Sequence, residues 1–559
     1  MHNPMEKTNI KNRIKEITFR LTNVLSVSET PGEIEVSKEI YTILSEMDYF
    51  KNNPDDLFLQ DISTDRHGRK NVIAMLRGQK NPEKKKTVVL MGHSDTVGIS
   101  DFGNLQDLAT QPEELTKWMN ENAEKLPQDV QEDLEKEGEN YIFGRGIFDM
   151  KSGVAALLTI LEGLSNDLEN LEGNIILGIV CDEEVNSTGM FALVKLLNEL
   201  KVENNFDLVG LIDADYMSNE YKGDENKYVY VGAVGKLMPS FYVVGDETHV
   251  GEPFNGIDSN QITAEILKKI NMNTDYCDEA NGQYTLPPIS LKMRDLKPEY
   301  TVQTAKASHL FFNYATHSQT PDEVLSLMVD AAEEAMTEAI QNLDTQYKKY
   351  AKMSGIQYKP LRYQSRVITI HELLEEVRNE IGEALDEEIQ KFEEKHVEDT
   401  NIDEREYALL FVQHVHGLWT HNEPVVVVFF SPPYYPHILI EDDTIEGKKV
   451  IDAVSKAIEG VESDYKIVYK DFFPYIADIS FASAPQDKTA IETLKTNMPG
   501  FQSKYKFPID EMAELNLPAI NIGPFGKDAH KFTERLETNY SFTVTPELIL
   551  NTTLNLLSE

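Results

Sequence analysis

Histidine and acidic side chains follow several short apolar runs of this sequence, and these residue types bind divalent metal ions. His93-Ser94-Asp95 comes one glycine after the apolar run at 87–91. A metal-binding imidazole commonly has its second nitrogen fixed by a carboxylate, and an H-x-D pair at the end of a strand can supply both groups. H-x-D is also frequent by chance, so this motif indicates a metal site only in company with others.

The segment GRGIFDMKSG, at 144–153, delivers Asp149 to the start of a predicted helix. Its glycines permit a tight backbone path into that helix, which is predicted to begin near Ser152. Asp149 could bind metal there, or it could simply cap the helix through its carboxylate. The motif alone leaves both interpretations open.

A third motif, Cys181-Asp182-Glu183-Glu184, ends the apolar run at 174–181. Adjacent side chains at the end of a strand diverge, so one glutamate can bind metal while its neighbour faces a substrate water. Adjacent glutamates on a surface turn are, however, usually just solvated. The motif therefore indicates a metal site only if other potential ligands lie at the same place.

Two more apolar runs are followed by residues of types that bind metal ions. The run at 207–212 leads into Asp213, and the run at 517–522 leads through a glycine-rich turn to His530. Histidine, aspartate, glutamate, aspartate and a late histidine together are the ligand types of a dinuclear zinc site.

The elements that must position these residues are short apolar runs separated by helical segments such as 152–164 and 190–200. This alternation predicts an α/β sheet covered by helices on both faces. Open α/β sheets bind their ligands just past the carboxyl ends of the strands, which is where the polar motifs lie.

The pattern changes between residues 236 and 430 to strand, helix, strand, strand, helix, strand. This order predicts a small α+β domain, at 236–431, inserted into a larger domain made of 1–235 and 432–559. Within the insertion, 344–423 is an extra block dominated by a Glu-rich amphipathic helical stretch that starts near Ile370.

The composition limits the partners. A formal net charge of −42 disfavours binding to nucleic acid or to an anionic membrane, because the required excess of lysine and arginine is missing. The two cysteines are too few for a disulfide framework, and the N-terminal residues do not resemble a secretory signal. We therefore expect a cytoplasmic protein.

The segments GHSDTV, GRGIFDMKSG, CDEEVNSTG, DLVGLIDAD and GPFGKDAHKFTERLE resemble, in order and spacing, the ligand motifs of the M20 family of zinc peptidases and deacylases. The resemblance covers nearly the whole chain except 344–423. It implies a mixed, mostly parallel catalytic sheet flanked by helices and an inserted lid domain through which two copies could dimerise.

The resemblance also implies roles for individual residues. His93 and Asp213 would bind one zinc ion, Glu184 and His530 would bind a second, and Asp149 would bridge the two ions. The peptide bond between Asp149 and Met150 would be cis. Asp95 would orient His93, and Glu183 would be the general base that activates the attacking water and later protonates the leaving amine. Such a carboxylate-rich site could also hold Co²⁺ or Mn²⁺.

The lid region contains the family-like segment THVGEPFNGIDS, at 248–259. By resemblance, His249 would donate a hydrogen bond to the substrate carbonyl, although a simple surface histidine is an alternative. Many relatives have Phe-Asp-Ile-Arg on the third lid strand, and its arginine binds the substrate carboxylate. This chain has Phe-Asn-Tyr-Ala at 312–315. The residues that could substitute for that arginine are His309, His317 and Lys306.

A histidine-rich segment, HVHGLWTH, contains His414, His416 and His421. It lacks an ordered set of carboxylates, so we interpret it as structural. The leading functional hypothesis is hydrolysis of a C–N amide bond in an acylated amino acid, a dipeptide or an arginine-related metabolite, as part of amino-acid catabolism. The alternatives are a catalytically silent metabolite sensor that keeps the fold and an aminopeptidase that acts on short peptides.

Overall fold

The protein is described by a computed structural model, which covers residues 7–63, 65–137 and 140–558. It divides into two compact units. The main unit consists of Met1–Ala233, Ile438–Ala484 and Asp510–Glu559, and the inserted unit consists of Val234–His437 and Pro485–Ile509. The sequence predicted the insertion at 236–431, but it placed the segment 485–509 in the larger domain.

The helices of the described residues alternate with strands through most of the chain. They are α1 (Lys7–Thr22), α2 (Gly32–Ser45), α3 (Asp48–Asn52), α4 (Pro112–Glu121), α5 (Gln128–Glu137), α6 (Ser152–Ser165), α7 (Thr188–Glu203), α8 (Ser259–Ile270), α9 (Pro321–Ser354), α10 (Ile370–Ile381), α11 (Ala384–His396), α12 (Glu404–Leu418), α13 (Ile445–Gly460), α14 (Lys488–Asn497), α15 (Ile509–Leu515) and α16 (Thr545–Ser558).

The strands are mostly short, and several of them are fully buried. They are β1 (Leu57–Asp61), β2 (Lys70–Arg77), β3 (Lys86–His93), β4 (Tyr141–Phe143), β5 (Asn174–Val180), β6 (Asp207–Asp213), β7 (Lys227–Tyr230), β8 (Gly232–Ala233), β9 (Gly235–Leu237), β10 (Pro239–Val244), β11 (Glu279–Ala280), β12 (Gln283–Tyr284), β13 (Ile289–Asp295), β14 (Ala307–Thr316), β15 (Val367–Thr369), β16 (Val425–Phe430), β17 (Ile438–Leu439), β18 (Ile467–Lys470), β19 (Ala519–Asn521), β20 (Gly526–Lys527) and β21 (Arg535–Glu537).

The main unit is built on a sheet with the order β1-β2-β5-β3-β6-β19-β7-β18. The pairs β5/β3, β3/β6, β6/β19 and β7/β18 are parallel, and the remaining three are antiparallel, so the predicted mixed, mostly parallel sheet is confirmed. A Cβ at Gly92 would meet Val154 of α6, whereas one at Gly178 would meet Leu193 of α7. Gly92 pairs with Ile179, so these glycines face opposite sides of the sheet, and the two helices cover opposite faces.

The inserted unit contains a sheet with the order β13-β14-β10-β16-β15, and β9 also pairs with the end of β14. One face packs against α8, where the Thr263 hydroxyl lies 2.5 Å from that of Ser308 on β14. The extra block covers the other face. Tyr242 of β10 and Phe429 of β16 belong to an apolar core formed with α10, α11 and α12. The predicted Glu-rich helical stretch is therefore three helices, and their apolar stripes close the second face of this sheet.

None of the helices in the described part of the chain combines the length and the apolarity that crossing a bilayer requires.

Candidate metal centre

The site lies at the carboxyl ends of three adjacent parallel strands of the main unit. His93 is the last residue of β3 and pairs with Val180 of β5, while Met91 pairs with Asp213 at the end of β6. Parallel strands end at the same edge of a sheet, so the residues that follow them come together there. The geometry explains why motifs separated by more than a hundred residues share one site.

Asp149 lies at the centre of this cluster and faces a histidine on each side. Its Oδ1 is 3.2 Å from Nε2 of His93, and its Oδ2 is 3.0 Å from Nε2 of His530. Glu184 Oε2 is also 3.2 Å from Nε2 of His530. Because the two carboxylate oxygens point to different partners, Asp149 can bridge two cations. Asp149 does not cap α6, because Lys151 occupies the N-cap position of that helix.

The donor atoms form two groups in which all atoms lie within 4.8 Å of one another. One group is His93, Asp149 and Asp215, and the other is Asp149, Glu184 and His530. A tetrahedral zinc site with bonds of about 2.1 Å has ligand atoms about 3.4 Å apart, close to the distances found here. The donor set of imidazoles and carboxylates suits zinc, cobalt or manganese.

The first group contains Asp215, whereas the family resemblance implied Asp213. Oδ1 of Asp213 is buried and has no hydrogen-bond partner among the described residues. Alternation along a continuing strand would put Asp213 and Asp215 on the same side, so the sequence alone could not separate them. Asp213 is still inside the strand, whereas Asp215 has passed its end. The position past the strand end brings Asp215 to His93 and Asp149.

The turn that carries Asp215 depends on close backbone packing. Its carbonyl oxygen accepts a hydrogen bond from the side-chain amide of Asn521. A Cβ at Gly523 would lie only 1.6 Å from the same carbonyl oxygen. Only glycine is compatible with this approach, so the turn after β19 sets the position of Asp215.

Asp95 contacts His93, as expected, and it also holds the turn that carries the two glutamates. Nδ1 of His93 is 3.2 Å from the backbone carbonyl of Asp95 and 3.7 Å from its carboxylate. An Nδ1–H donated to that carbonyl leaves Nε2 free to bind a cation. The Asp95 carboxylate accepts hydrogen bonds from the backbone amides of Glu183 and Glu184 and from the Ser28 hydroxyl. It thereby fixes the turn that carries both glutamates.

Glu183 belongs to neither donor group, although its Oε2 lies 3.9 Å from Nε2 of His93. Burial, together with the nearby carboxylates of Asp478 and Glu184, raises the pKa of Glu183 well above its usual range, against the opposing effect of His93. A carboxyl group that is close to the ligands but outside both groups is available to carry a proton.

The electrostatics of the cluster favour added positive charge. Burial raises the pKa of Asp213, and it raises the pKa of Asp215 to about 7 and that of Asp478 to about 8. The two histidines beside Asp149 keep its pKa low despite burial. Buried carboxylates in excess over cations are a favourable environment for divalent ions.

A buried ion cluster that no sequence motif indicated lies behind the Glu183-Glu184 turn. Nη1 of Arg69 is 2.7 Å from Asp182 Oδ1 and 3.1 Å from Glu33 Oε2, and Nη2 is 2.7 Å from Asp65 Oδ1. Asp182 adopts a positive φ of 66°, and its amide donates to Glu33. Arg69 follows no recognisable motif, so only the fold reveals that it anchors the residue preceding Glu183.

A second buried pair supports Asp149. The Glu534 carboxylate accepts hydrogen bonds from the amides of Phe148 and Asp149, at 3.2 and 3.4 Å, and Arg145 Nη1 donates to it at 2.7 Å. Gly146, in the same turn, has a φ of 74°, as expected for the glycines of this motif. The predicted cis peptide bond between Asp149 and Met150 is confirmed.

The other predicted site residues lie in the inserted unit. His249 is followed by a turn in which its Nδ1 accepts a hydrogen bond from the Gly251 amide, and its backbone pairs with Gln303. Its predicted role as a hydrogen-bond donor stays a prediction. Among the possible substitutes for the absent arginine, His309 is buried, its ring nitrogens have no hydrogen-bond partner among the described residues, and burial lowers its pKa to about 3. Lys306 is exposed.

The histidine-rich segment forms no metal-binding group within the described residues. His414 packs against Phe392, and His416 packs edge-on against Tyr242. His421 lies over Trp419 with the ring centroids 4.5 Å apart. These contacts agree with the structural role that the sequence predicted.

Residues 106–494 match the model of peptidase family M20/M25/M40. The chain is 35% identical to the protein RocB of Bacillus subtilis (strain 168), over 98% of this chain and 95% of that protein. It is 32% identical to YqjN of the same organism, over 98% of this chain and 97% of that protein.

Solved structures show the same fold at lower sequence identity. Aminopeptidase PepT from Bacillus cereus superposes with a TM-score of 0.52 at 13% identity and covers 98% of both chains. A tripeptidase from Staphylococcus aureus superposes with a TM-score of 0.51, also at 13% identity, and covers 98% of this chain and 99% of that chain.

Proposed function

The chain belongs to peptidase family M20/M25/M40, and from this premise we propose that it hydrolyses a C–N amide or peptide bond in a small amino-acid-derived molecule. Candidate substrates are an N-acyl amino acid, a dipeptide or an arginine-related metabolite. The observation that carries the proposal is the arrangement around Asp149. Its two oxygens face separate donor groups, while Glu183 lies beside them and belongs to neither.

The residues present fit a pair of divalent cations, for which zinc is our first choice. His93 and Asp215 would hold one ion, Glu184 and His530 the other, and Asp149 both. This assignment replaces Asp213 by Asp215, because Asp215 is the residue grouped with His93. Bound there, the cations would acidify a water molecule and polarise the scissile carbonyl.

Glu183 is the proposed general base. Its amide is held by the Asp95 carboxylate, so the base and the ligand Glu184 share one rigid turn. Because burial raises its pKa, the carboxyl group of Glu183 can retain the proton taken from water until the amine leaves. A general base of this type contributes about 100- to 10,000-fold to the rate.

We retain two proposals for the inserted unit. His249 would donate a hydrogen bond to the substrate carbonyl. Two copies of the chain would associate through β13, an edge strand on which Ile289, Leu291 and Met293 are exposed. An exposed apolar edge strand is a common place for strand pairing between chains.

The experiment that tests the hydrolase proposal combines metal analysis with an activity panel. Wild type, Glu183→Gln and the matched control Glu199→Gln, an exposed glutamate of α7, are analysed for bound metal and assayed on N-acyl amino acids and dipeptides. We expect two ions per chain in all three proteins and loss of hydrolysis only in Glu183→Gln. Metal binding without turnover in the wild type would favour the sensor alternative, and turnover restricted to substrates with a free α-amine would favour the aminopeptidase.

A further inference from the structure

His249 lies in a closed loop of the inserted unit, residues 246–257, which we name the His249 loop. Two backbone hydrogen bonds of 2.9 and 3.0 Å between Asp246 and Ile257 join the ends of this loop. The side chain of His249 is exposed, so its own packing does not fix it. An exposed side chain on a loop keeps one place only if other contacts order the loop backbone.

Successive turns connect His249 to the far side of the loop. The Asn255 amide donates to the Glu252 carbonyl at 3.0 Å, and the Glu252 amide donates to the His249 carbonyl at 2.8 Å. The Gly251 amide donates to Nδ1 of the His249 ring at 3.0 Å. Because Nδ1 is an acceptor, the neutral ring carries its proton on Nε2, which is then the nitrogen that can donate. The loop backbone therefore sets both the place of the ring and its hydrogen-bonding state.

Residues 302–304 hold the first part of the loop. The Val250 amide donates to the Val302 carbonyl at 3.0 Å, and the Thr304 amide donates to the Thr248 carbonyl at 2.9 Å. The Thr248 amide also donates to the Thr304 hydroxyl at 3.0 Å. These hydrogen bonds order residues 248–250, at the start of the loop.

Two tyrosines of the extra block contact the ends of the same loop. The ring of Tyr347, on α9, stacks on that of Phe254 with the centroids 4.8 Å apart and the planes 14° from parallel. The Tyr363 hydroxyl lies 2.7 Å from Oδ2 of Asp246 and 3.1 Å from the Asn255 carbonyl oxygen. One hydroxyl thus contacts both ends of the loop, and the stacked ring lies between these two contacts in the sequence.

The two tyrosines are themselves held in place, because the chain that follows α9 turns back along this helix. Tyr358 packs against Tyr347 with the ring centroids 5.2 Å apart, and its hydroxyl donates to the Asp344 carboxylate. The Ser365 hydroxyl donates to the carbonyl of Glu333 at 3.2 Å. The segment that carries Tyr363 is therefore tied to α9 on both sides of that residue.

We propose that Tyr347 and Tyr363, the tyrosine pair, are positioning residues that order the His249 loop and thereby hold His249. Stacked aromatic rings and a hydroxyl donated to a carboxylate are both stabilising contacts. A donor that is ordered before the substrate arrives does not have to be ordered during the reaction. The catalytic consequence rests on the proposed function, whereas the ordering of the loop does not. The tyrosine pair gives the beginning of the extra block a role in the site.

Hydrogen–deuterium exchange of the full chain measures the order of the loop without requiring activity. Wild type, Tyr363→Phe and the matched control Tyr284→Phe, an exposed tyrosine of β12, are compared on peptides that cover 246–257 and β10. We expect exchange in the loop to be at least about tenfold faster in Tyr363→Phe, because a hydrogen bond to a carboxylate is lost. Exchange should be unchanged in Tyr284→Phe and in β10. Unchanged exchange of the loop, or equally accelerated exchange of β10, would overturn the proposal.

The stacked ring is tested separately. Tyr347→Leu removes the ring that stacks on Phe254, whereas Tyr347→Phe keeps it. We expect faster exchange of the loop in Tyr347→Leu and wild-type exchange in Tyr347→Phe, with thermal unfolding showing that both variants are folded. The same exchange rate in the two variants would contradict a role for the stack.

Kinetics test whether the ordered loop acts through His249. Removing a hydrogen-bond donor to the developing oxyanion costs about 100- to 1,000-fold in kcat, which is the loss expected for His249→Ala. Tyr363→Phe should lower kcat by about tenfold and leave KM nearly unchanged, because the affected contact is made in the transition state. The chain with both substitutions should be no slower than His249→Ala alone. Additive losses, or a loss confined to KM, would overturn positioning through His249.

Failure of this inference is distinguishable from failure of the proposed hydrolysis. A wild-type chain that hydrolyses nothing in the panel, but whose loop exchange is accelerated by Tyr363→Phe, retains the ordering of the loop and loses the hydrolase assignment. An active chain in which Tyr363→Phe changes neither kcat nor loop exchange retains the hydrolase assignment and loses the role of the tyrosine pair.

Discussion

Asparagine at position 215 or 213 tests which carboxylate binds metal, because each substitution preserves the shape of the side chain and removes its charge. The donor atom of Asp215 groups with those of His93 and Asp149, whereas that of Asp213 does not. We expect Asp215→Asn to bind one ion much more weakly and Asp213→Asn to keep both.

The size of the effect follows from the position of each group. Changing a residue that only supports a metal ligand costs about 10- to 100-fold in affinity, so loss of a carboxylate ligand at Asp215 should cost at least about 100-fold, or about 2.7 kcal/mol. Asp213 has a raised pKa because it is buried and because Asp215 is close. Neutralising it relieves repulsion, so the unfolding temperature of metal-free Asp213→Asn should equal or exceed that of wild type.

The assay is zinc content after dialysis against buffers of defined free zinc, followed by calorimetric titration of the metal-free chains. Circular dichroism and thermal unfolding show that each variant is folded. Two ions in Asp215→Asn together with one in Asp213→Asn would refute the geometric assignment and restore the one made from the sequence. Equal loss in both variants would mean that the pair acts as one unit, and it would also refute the argument.

Three further outcomes test the supporting structure. Arg69→Met leaves buried carboxylates without their cation and should lower the free energy of unfolding by about 3–5 kcal/mol in urea titrations; a loss below about 1 kcal/mol would contradict an anchoring role. Burial raises the pKa of Glu33 to about 8. The folded state then keeps a proton that the unfolded state has lost above its usual pKa of 4.5, so stability falls as pH rises from about 5 to 8, by up to about 5 kcal/mol. Glu33→Gln should flatten this slope, and an unchanged slope would exclude Glu33 as its source. Gly523→Ala should lower both stability and metal content, because its Cβ would overlap the Asp215 carbonyl, whereas Gly163→Ala, in open space on α6, should be neutral or stabilising.

The motifs predicted the family and the type of fold, and both are confirmed. The motifs could predict this because a strand that ends in a metal ligand has a local sequence pattern, namely an apolar run followed closely by a histidine or an acidic residue. His93 and Glu184 of the two donor groups follow such runs, whereas Asp149 and His530 lie in the glycine-containing segments that the motifs also indicated. The identity of the metal, the substrate and the role of His249 stay predictions, because each depends on contacts with a bound molecule.

Other features of the site are not indicated by any local sequence pattern. Asp213 and Asp215 have the same residue type and the spacing of residues on one side of a strand, and only the point at which β6 ends and the close approach of Gly523 separate them. Arg69 reaches Asp182 across more than a hundred residues.

The sequence by itself determined which residues could carry the chemistry and on which strands they lie, since residue type and hydrophobic period are local properties of the chain. Only the tertiary structure decided which of two equivalent acids faces His93, how the Glu183-Glu184 turn is anchored, and that the extra block covers a sheet. These outcomes depend on distances between segments remote in sequence, and such distances are set when the apolar faces pack together.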